Sequence, residues 1–127
     1  MHETSLKPVV WIGSSREDLR DFPEEIKDEV GFAIYQAQLG GKSTSAKPLK
    51  GFGGAGVLEV VEDHDGNTYR TVYTVKLVSA IYVLHAFQKK SKKGIKTPTS
   101  EIEKVKQRLK DAINDHRKRY EQQKNKS

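Results

Sequence analysis

The sequence predicts an α+β fold in which an N-terminal helix pair and a C-terminal helix pack on a small, mainly antiparallel sheet. Three observations predict it. Apolar residues recur at helical spacing over residues 15–39 and again over 98–119. Between them, residues 67–93 hold two runs rich in Tyr, Val, Ile, Thr and Phe, side chains that suit a pleated sheet. Breaks at Asp65-Gly66 and Val78-Ser79-Ala80 join neighbouring extended runs closely enough to make an antiparallel meander.

The elements follow in order. Residues 7–13 (KPVVWIG) form a short apolar run with β-branched residues and predict a strand at the sheet edge. Ser14, with Glu17 three residues on, has the layout of a capping box for a helix over 15–22. Pro23 opens a second helix, in which Ile26, Val30, Ala33, Ile34 and Ala37 make one stripe, and Gly40-Gly41 ends it. Its outer face carries Glu24, Glu25, Asp28 and Glu29 and predicts a solvated surface.

Residues 42–56 read as a Gly-, Ser- and Lys-rich loop. Its Gly51-x-Gly53-x-x-Gly56 matches the spacing of a dinucleotide fingerprint, but that chemistry needs a strand before it and a helix after it. Here a loop precedes and a strand over 57–62 follows, so the loop reading stands. The acidic Glu62–Asn67 stretch lacks the glutamate that closes a calcium loop, and Asp65-Gly66 within it marks a hairpin turn. Thr97-Pro98 starts the last helix, with Ile102, Val105, Leu109, Ala112 and Ile113 facing inward and Lys104, Lys106, Arg108 and Lys110 on the other face. Residues 1–120 are expected to form a single domain and 121–127 a flexible basic tail.

Composition narrows the function. With no cysteine there is no disulfide, thiolate metal site or cysteine nucleophile, which fits a reducing compartment. No apolar run approaches the ~18–20 residues needed to span a bilayer. The first residues lack a signal-peptide layout. A cytoplasmic protein with no membrane partner is the expectation. The net charge of +6 is unevenly placed: residues 1–66 hold 7 Lys/Arg against 12 Asp/Glu, and residues 67–127 hold 16 against 5. A basic half points to a polyanion partner.

Period-2 alternation within the central hairpin, read as 68–77 and 80–89, sorts its side chains. One face reads as core, including Tyr69, Thr71 and Tyr73. The other gathers Arg70, His85, Phe87 and Lys89, with Glu59 on the neighbouring strand as a carboxylate that either shares the site or pairs with Arg70. Arg70 is expected on an exposed sheet face, so that its removal spares the fold. An arginine forks onto phosphate. A histidine exchanges protons near neutrality, and Lys89 and Lys90 beside it would lower its pKa. Phe87 can stack on an unpaired base. The histidines show no metal-ligand spacing, so neither metal nor cofactor is expected. This set suits cleavage of RNA, whose own 2′-hydroxyl is the nucleophile and needs only positioning and charge stabilisation.

The order Lys50-Gly51…Gly56-Val57-Leu58-Glu59, Tyr69-Arg70-x-Val72-Tyr73, Val83-Leu84-His85-Ala86-Phe87-Gln88-Lys89-Lys90-Ser91 and Thr97-Pro98 before a basic helix resembles the phage-derived HigB-like toxins of the RelE/ParE superfamily. The resemblance runs from about residue 7 to 119. It implies a RelE/ParE-like domain with a curved sheet and a type II toxin that cleaves mRNA in the ribosomal A site. It also implies neutralisation by a helix-turn-helix antitoxin, with operator DNA bound only through the antitoxin complex. By the same resemblance Arg70 binds phosphate, Lys89 stabilises the transition state and His85 is the general acid or base. Lys50, Phe87, Lys90, Lys92 and Lys93 complete the expected substrate-binding set. One departure stands out. Many relatives follow the Leu-Glu of this strand with Leu-Arg, whereas Glu59 is followed here by Val60-Val61. Two other readings therefore stay open. One is a non-enzymatic ParE-like inhibitor of DNA gyrase, or a toxin-like fold without nuclease activity; the other is a basic nucleic-acid-binding module without toxicity.

Overall fold

The chain was described from a computed structural model covering residues 6–54, 56–89 and 97–121. Val9–Trp11 (β1) leads into helices Ser15–Arg20 (α1) and Glu24–Gln38 (α2). Strands Ala46–Pro48 (β2), Val57–His64 (β3), Asn67–Thr74 (β4) and Ile81–Lys89 (β5) follow. Helix Thr99–His116 (α3) runs into a π-helical turn, Arg117–Glu121. The five strands lie in the order β1-β5-β4-β3-β2. All neighbours are antiparallel except β1 on β5. The α+β class and mainly antiparallel sheet are as the sequence predicts. No helix among the described residues is long and apolar enough to cross a membrane.

Several local expectations change. The 42–56 loop contains β2, whose Ala46, Lys47 and Pro48 pair with Val60, Glu59 and Leu58. A three-residue edge strand with a Lys and a Pro has no periodicity to find. Ser14 makes no capping bond with its side chain; its Oγ donates to Asp18 Oδ2 at 2.7 Å. Tyr120, the last residue of the expected domain, packs its ring 5.0 Å from that of His116. Residues 122–127 lie outside the described residues. The Asp65-Gly66 turn forms with both residues at positive φ, 49° and 79°, as a type I′ hairpin turn requires. Gly56 (φ 69°) comes so close to Lys76 that a Cβ would stand 3.1 Å from its backbone nitrogen, and it leads into a strand rather than a helix.

The sheet is covered on both faces, which corrects the division into a core face and an open face. On one side α1, α2 and the link between them pack Leu19, Phe22, Ile26, Val30 and Ala33 against Val60, Tyr69, Tyr73, Ile81 and Val83. On the other side α3 packs Val105 and Ala112, with Ile102 and Leu109, against Val57, Val72, Tyr82 and Leu84. Each fully buried aliphatic side chain contributes roughly 1.5–3 kcal/mol of transfer free energy, so the second layer is a true core.

Strict alternation also fails at one point of β5. Tyr73 pairs with Val83, but Val72 pairs with His85, so Leu84 is an extra residue in the ladder. Such a bulge shifts the parity of everything after it. Val83 faces α1 and α2, Tyr82 and Leu84 face α3, and the shift turns His85 toward α3 as well.

Candidate functional site

Beyond the bulge, register alone assembles three rows on the α3 side of the sheet. Glu59, Val72 and His85 form the first, Val61, Arg70 and Phe87 the second, and Asp63, Thr68 and Lys89 the third. Directly paired residues share a face. Arg70, His85, Phe87, Lys89 and Glu59 are therefore brought to one face. Neighbouring strands are ~4.8 Å apart, so Glu59 and His85 stand roughly 10 Å from each other across β4.

Arg70 is not on an exposed face, in contrast to the sequence expectation. Only 8% of it is exposed, and 6% of Glu59. Arg70 Nη1 donates to Glu59 Oε2 at 3.2 Å and to Thr97 Oγ1 at 3.2 Å, while Thr97 Oγ1 donates to Glu59 Oε2 at 3.5 Å. Thr97, two residues ahead of α3, thus hydrogen-bonds both members of the ion pair. Val61, where the resemblance leads one to expect an arginine, sits directly across from Arg70.

His85 is 3% exposed and stacks on Phe87 with ring centroids 4.9 Å apart. Its Nε2 meets Glu101 Oε2 in the first turn of α3. Its Nδ1 meets Nη1 of Arg108, two turns further on, at 3.1 Å. The same Nη1 donates to the carbonyl of Leu84 at 3.0 Å, and Arg108 Nη2 donates to Ser14 Oγ at 3.1 Å. Burial pushes the His85 pKa below the ordinary imidazole value; Glu101 pulls it back, and Arg108 and Lys104 lower it further. The direction is the expected one, but burial, not charge repulsion, is the largest cause.

Sequence reasoning missed Glu101 and Arg108. Arg108 was assigned to the outer, basic face of α3 by periodicity, yet it reaches back to the sheet. Gly13 is the only signal that bears on it. At φ 58°, a Cβ there would stand 2.9 Å from the Arg108 guanidinium carbon, so the glycine leaves room for that side chain.

The remaining predicted residues scatter. Lys89 ends β5, half-buried, opposite Thr68. Lys50 is exposed in the turn after β2, beside Leu49, whose N–H bonds the Val57 carbonyl. That is the end of the sheet away from the Arg70–Phe87 pair. Lys90, Lys92 and Lys93 lie outside the described residues. Among the described residues no three His, Asp or Glu side chains converge as a metal set.

Residues 17–110 match the phage-derived protein Gp49-like family (DUF891), and the chain belongs to that family, a family of toxin–antitoxin toxins. Among solved structures, a chain of the RelBE2 toxin–antitoxin complex from Mycobacterium tuberculosis is similar at 19% identity and a TM-score of 0.40, over 72% of this chain and 100% of that one. No curated protein matches the chain.

Proposed function

We propose that this protein is the toxin of a type II toxin–antitoxin system and a metal-independent, ribosome-dependent endoribonuclease that cleaves mRNA in the cytoplasm. A helix-turn-helix antitoxin would neutralise it and bring it to operator DNA. Family membership supports the toxin. One observation carries the chemistry: a buried Arg70–Glu59 pair and a buried histidine are held on the same face of the sheet by Thr97 and the first turn of α3. Buried charge and polarity cost free energy, so groups kept there without a packing advantage point to function.

In this reading Arg70 and Lys89 stabilise charge developing on the phosphate, and His85 belongs to the hydrogen-bonded group that handles the proton. Phe87 stacks on a base, Lys90, Lys92 and Lys93, which follow β5 in the sequence, add positive charge, and Lys50 contributes to the basic field from the far end of the sheet. The opposing reading is a ParE-like inhibitor that binds DNA gyrase and cleaves nothing. Val61 favours it, because it places an apolar residue directly beside Arg70. Inducible expression in bacteria, with primer extension on a reporter mRNA, separates the two. Growth arrest with new 5′ ends inside translated codons, lost in Arg70→Lys, supports the nuclease. Arrest without cuts favours the binding inhibitor.

A further inference from the structure

The hydrogen bonds around His85 determine where its protons are. A guanidinium can only donate, so Arg108 Nη1 at 3.1 Å makes Nδ1 of His85 an acceptor that carries no proton. The one proton of the neutral ring is then on Nε2, and it is donated to the carboxylate of Glu101. In this state His85 is neither a base, since its lone pair faces Arg108, nor an acid, since losing the Nε2 proton would leave an imidazolate. Charged and titratable groups face it from all sides that matter. They are Glu101, Lys104 and Arg108 on α3, Glu59 two strands away in its own row, and Asp18 on α1 through Ser14 and Arg108.

The chain Arg108–His85–Glu101 is buried at its centre, with Arg108 and Glu101 each half-buried. The His85 side chain is 3% exposed and that of Glu101 is 23%. The bulge at Leu84 supports the arrangement twice over. It turns His85 toward α3, and the Leu84 carbonyl accepts from the same Arg108 nitrogen.

We infer that Glu101, not His85, is the group that meets the substrate, serving as general base, and that His85 and Arg108 are positioning residues that orient its carboxylate. This rests on the nuclease reading above and names its proton acceptor. In the step, the 2′-oxygen bonds to the adjacent phosphorus and the bond from phosphorus to the 5′-oxygen breaks. The 2′-hydroxyl proton passes to Glu101, and the departing 5′-oxygen takes a proton from water. The products are a 2′,3′-cyclic phosphate and a 5′-hydroxyl, with no change of oxidation state.

The test joins imidazole 15N NMR of the full chain to ribosome-dependent cleavage of a reporter mRNA. The expected spectrum shows His85 with its proton on Nε2. Glu101→Gln keeps an acceptor for that proton, and should slow cleavage by roughly 10²–10⁴-fold with ribosome binding unchanged. Glu101→Asp should recover part of the rate. His85→Gln should cost less, roughly 10–100-fold, the range known for side chains that orient metal ligands by hydrogen bonding. A His85 proton on Nδ1, or wild-type cleavage by a folded Glu101→Gln variant, overturns the inference while the nuclease reading stands. A wild-type chain that arrests growth but cuts no mRNA overturns the nuclease reading, and with it this role for Glu101.

Discussion

Arg70 Nη1 lies 3.2 Å from Glu59 Oε2, with less than a tenth of either side chain exposed. An exposed sheet arginine could be removed without effect on the fold; this one cannot. Arg70→Ala would leave the Glu59 carboxylate buried without this partner, at a cost of about 3–5 kcal/mol. Urea denaturation should show that loss, and the double variant Arg70→Met/Glu59→Leu should recover most of it. A single Arg70→Ala variant as stable as the wild type would contradict the pairing. Loss of toxicity in Arg70→Ala is therefore not evidence for a site unless folding is checked.

Gly13→Ala tests the seat of Arg108. The new methyl group would need a left-handed backbone and stand 2.9 Å from the guanidinium, so two costs add. Destabilisation by about 1–3 kcal/mol is expected, together with an upward move of the His85 pKa as Arg108 withdraws. Thermal unfolding and NMR titration read the two effects separately.

His85 makes stability depend on pH with a definite sign. Its folded pKa is lowered from 6.5, so in the window below that value the unfolded chain binds more protons than the folded one. The contribution is complete above the unfolded value and is lost as pH falls from there through the folded value. The stability difference between wild type and His85→Gln should therefore shrink as pH falls below the unfolded value of 6.5. A difference that stays constant, or grows on acidification, would show that His85 is not held neutral.

Tyr73 is fully buried on the α1–α2 side, and its hydroxyl has no hydrogen-bond partner among the described residues. Burial pushes its pKa up to about 12. Tyr73→Phe removes a desolvated hydroxyl and keeps the ring, so it should raise stability by about 1 kcal/mol. A drop in the urea midpoint would reveal a partner for that hydroxyl.

Val61→Arg restores the residue that the resemblance leads one to expect beside Arg70. Like charges directly opposite on paired strands cost roughly 0.2–1 kcal/mol, so a slight fall in melting temperature is expected. If the nuclease reading holds, reporter cleavage should rise in this variant. Unchanged cleavage would mean that the apolar residue at 61 does not limit the chemistry.

Much of the fold was legible in the sequence because local rules determine it. Stripes at helical spacing placed α2 and α3, Asp65-Gly66 set the β3–β4 turn, and alternation along β4 put Arg70 on the face opposite Tyr69 and Tyr73. The sequence also carried His85, Phe87 and Lys89 into one strand, so their company with Arg70 followed from pairing two neighbours. What it left open depends on contacts between distant segments. The bulge at Leu84 is a property of the β4–β5 register, and no residue type announces it. Arg108 falls on the polar side of α3 by periodicity, but a long side chain can turn toward an unmet carbonyl and imidazole that sit more than twenty positions earlier. Glu101 looked like any first-turn glutamate until α3 was laid across the sheet. Burial of Arg70, likewise, was decided when the segment before α3 brought Thr97 over it. Periodicity tells which face a side chain leaves from; only the packed structure decides what it meets there.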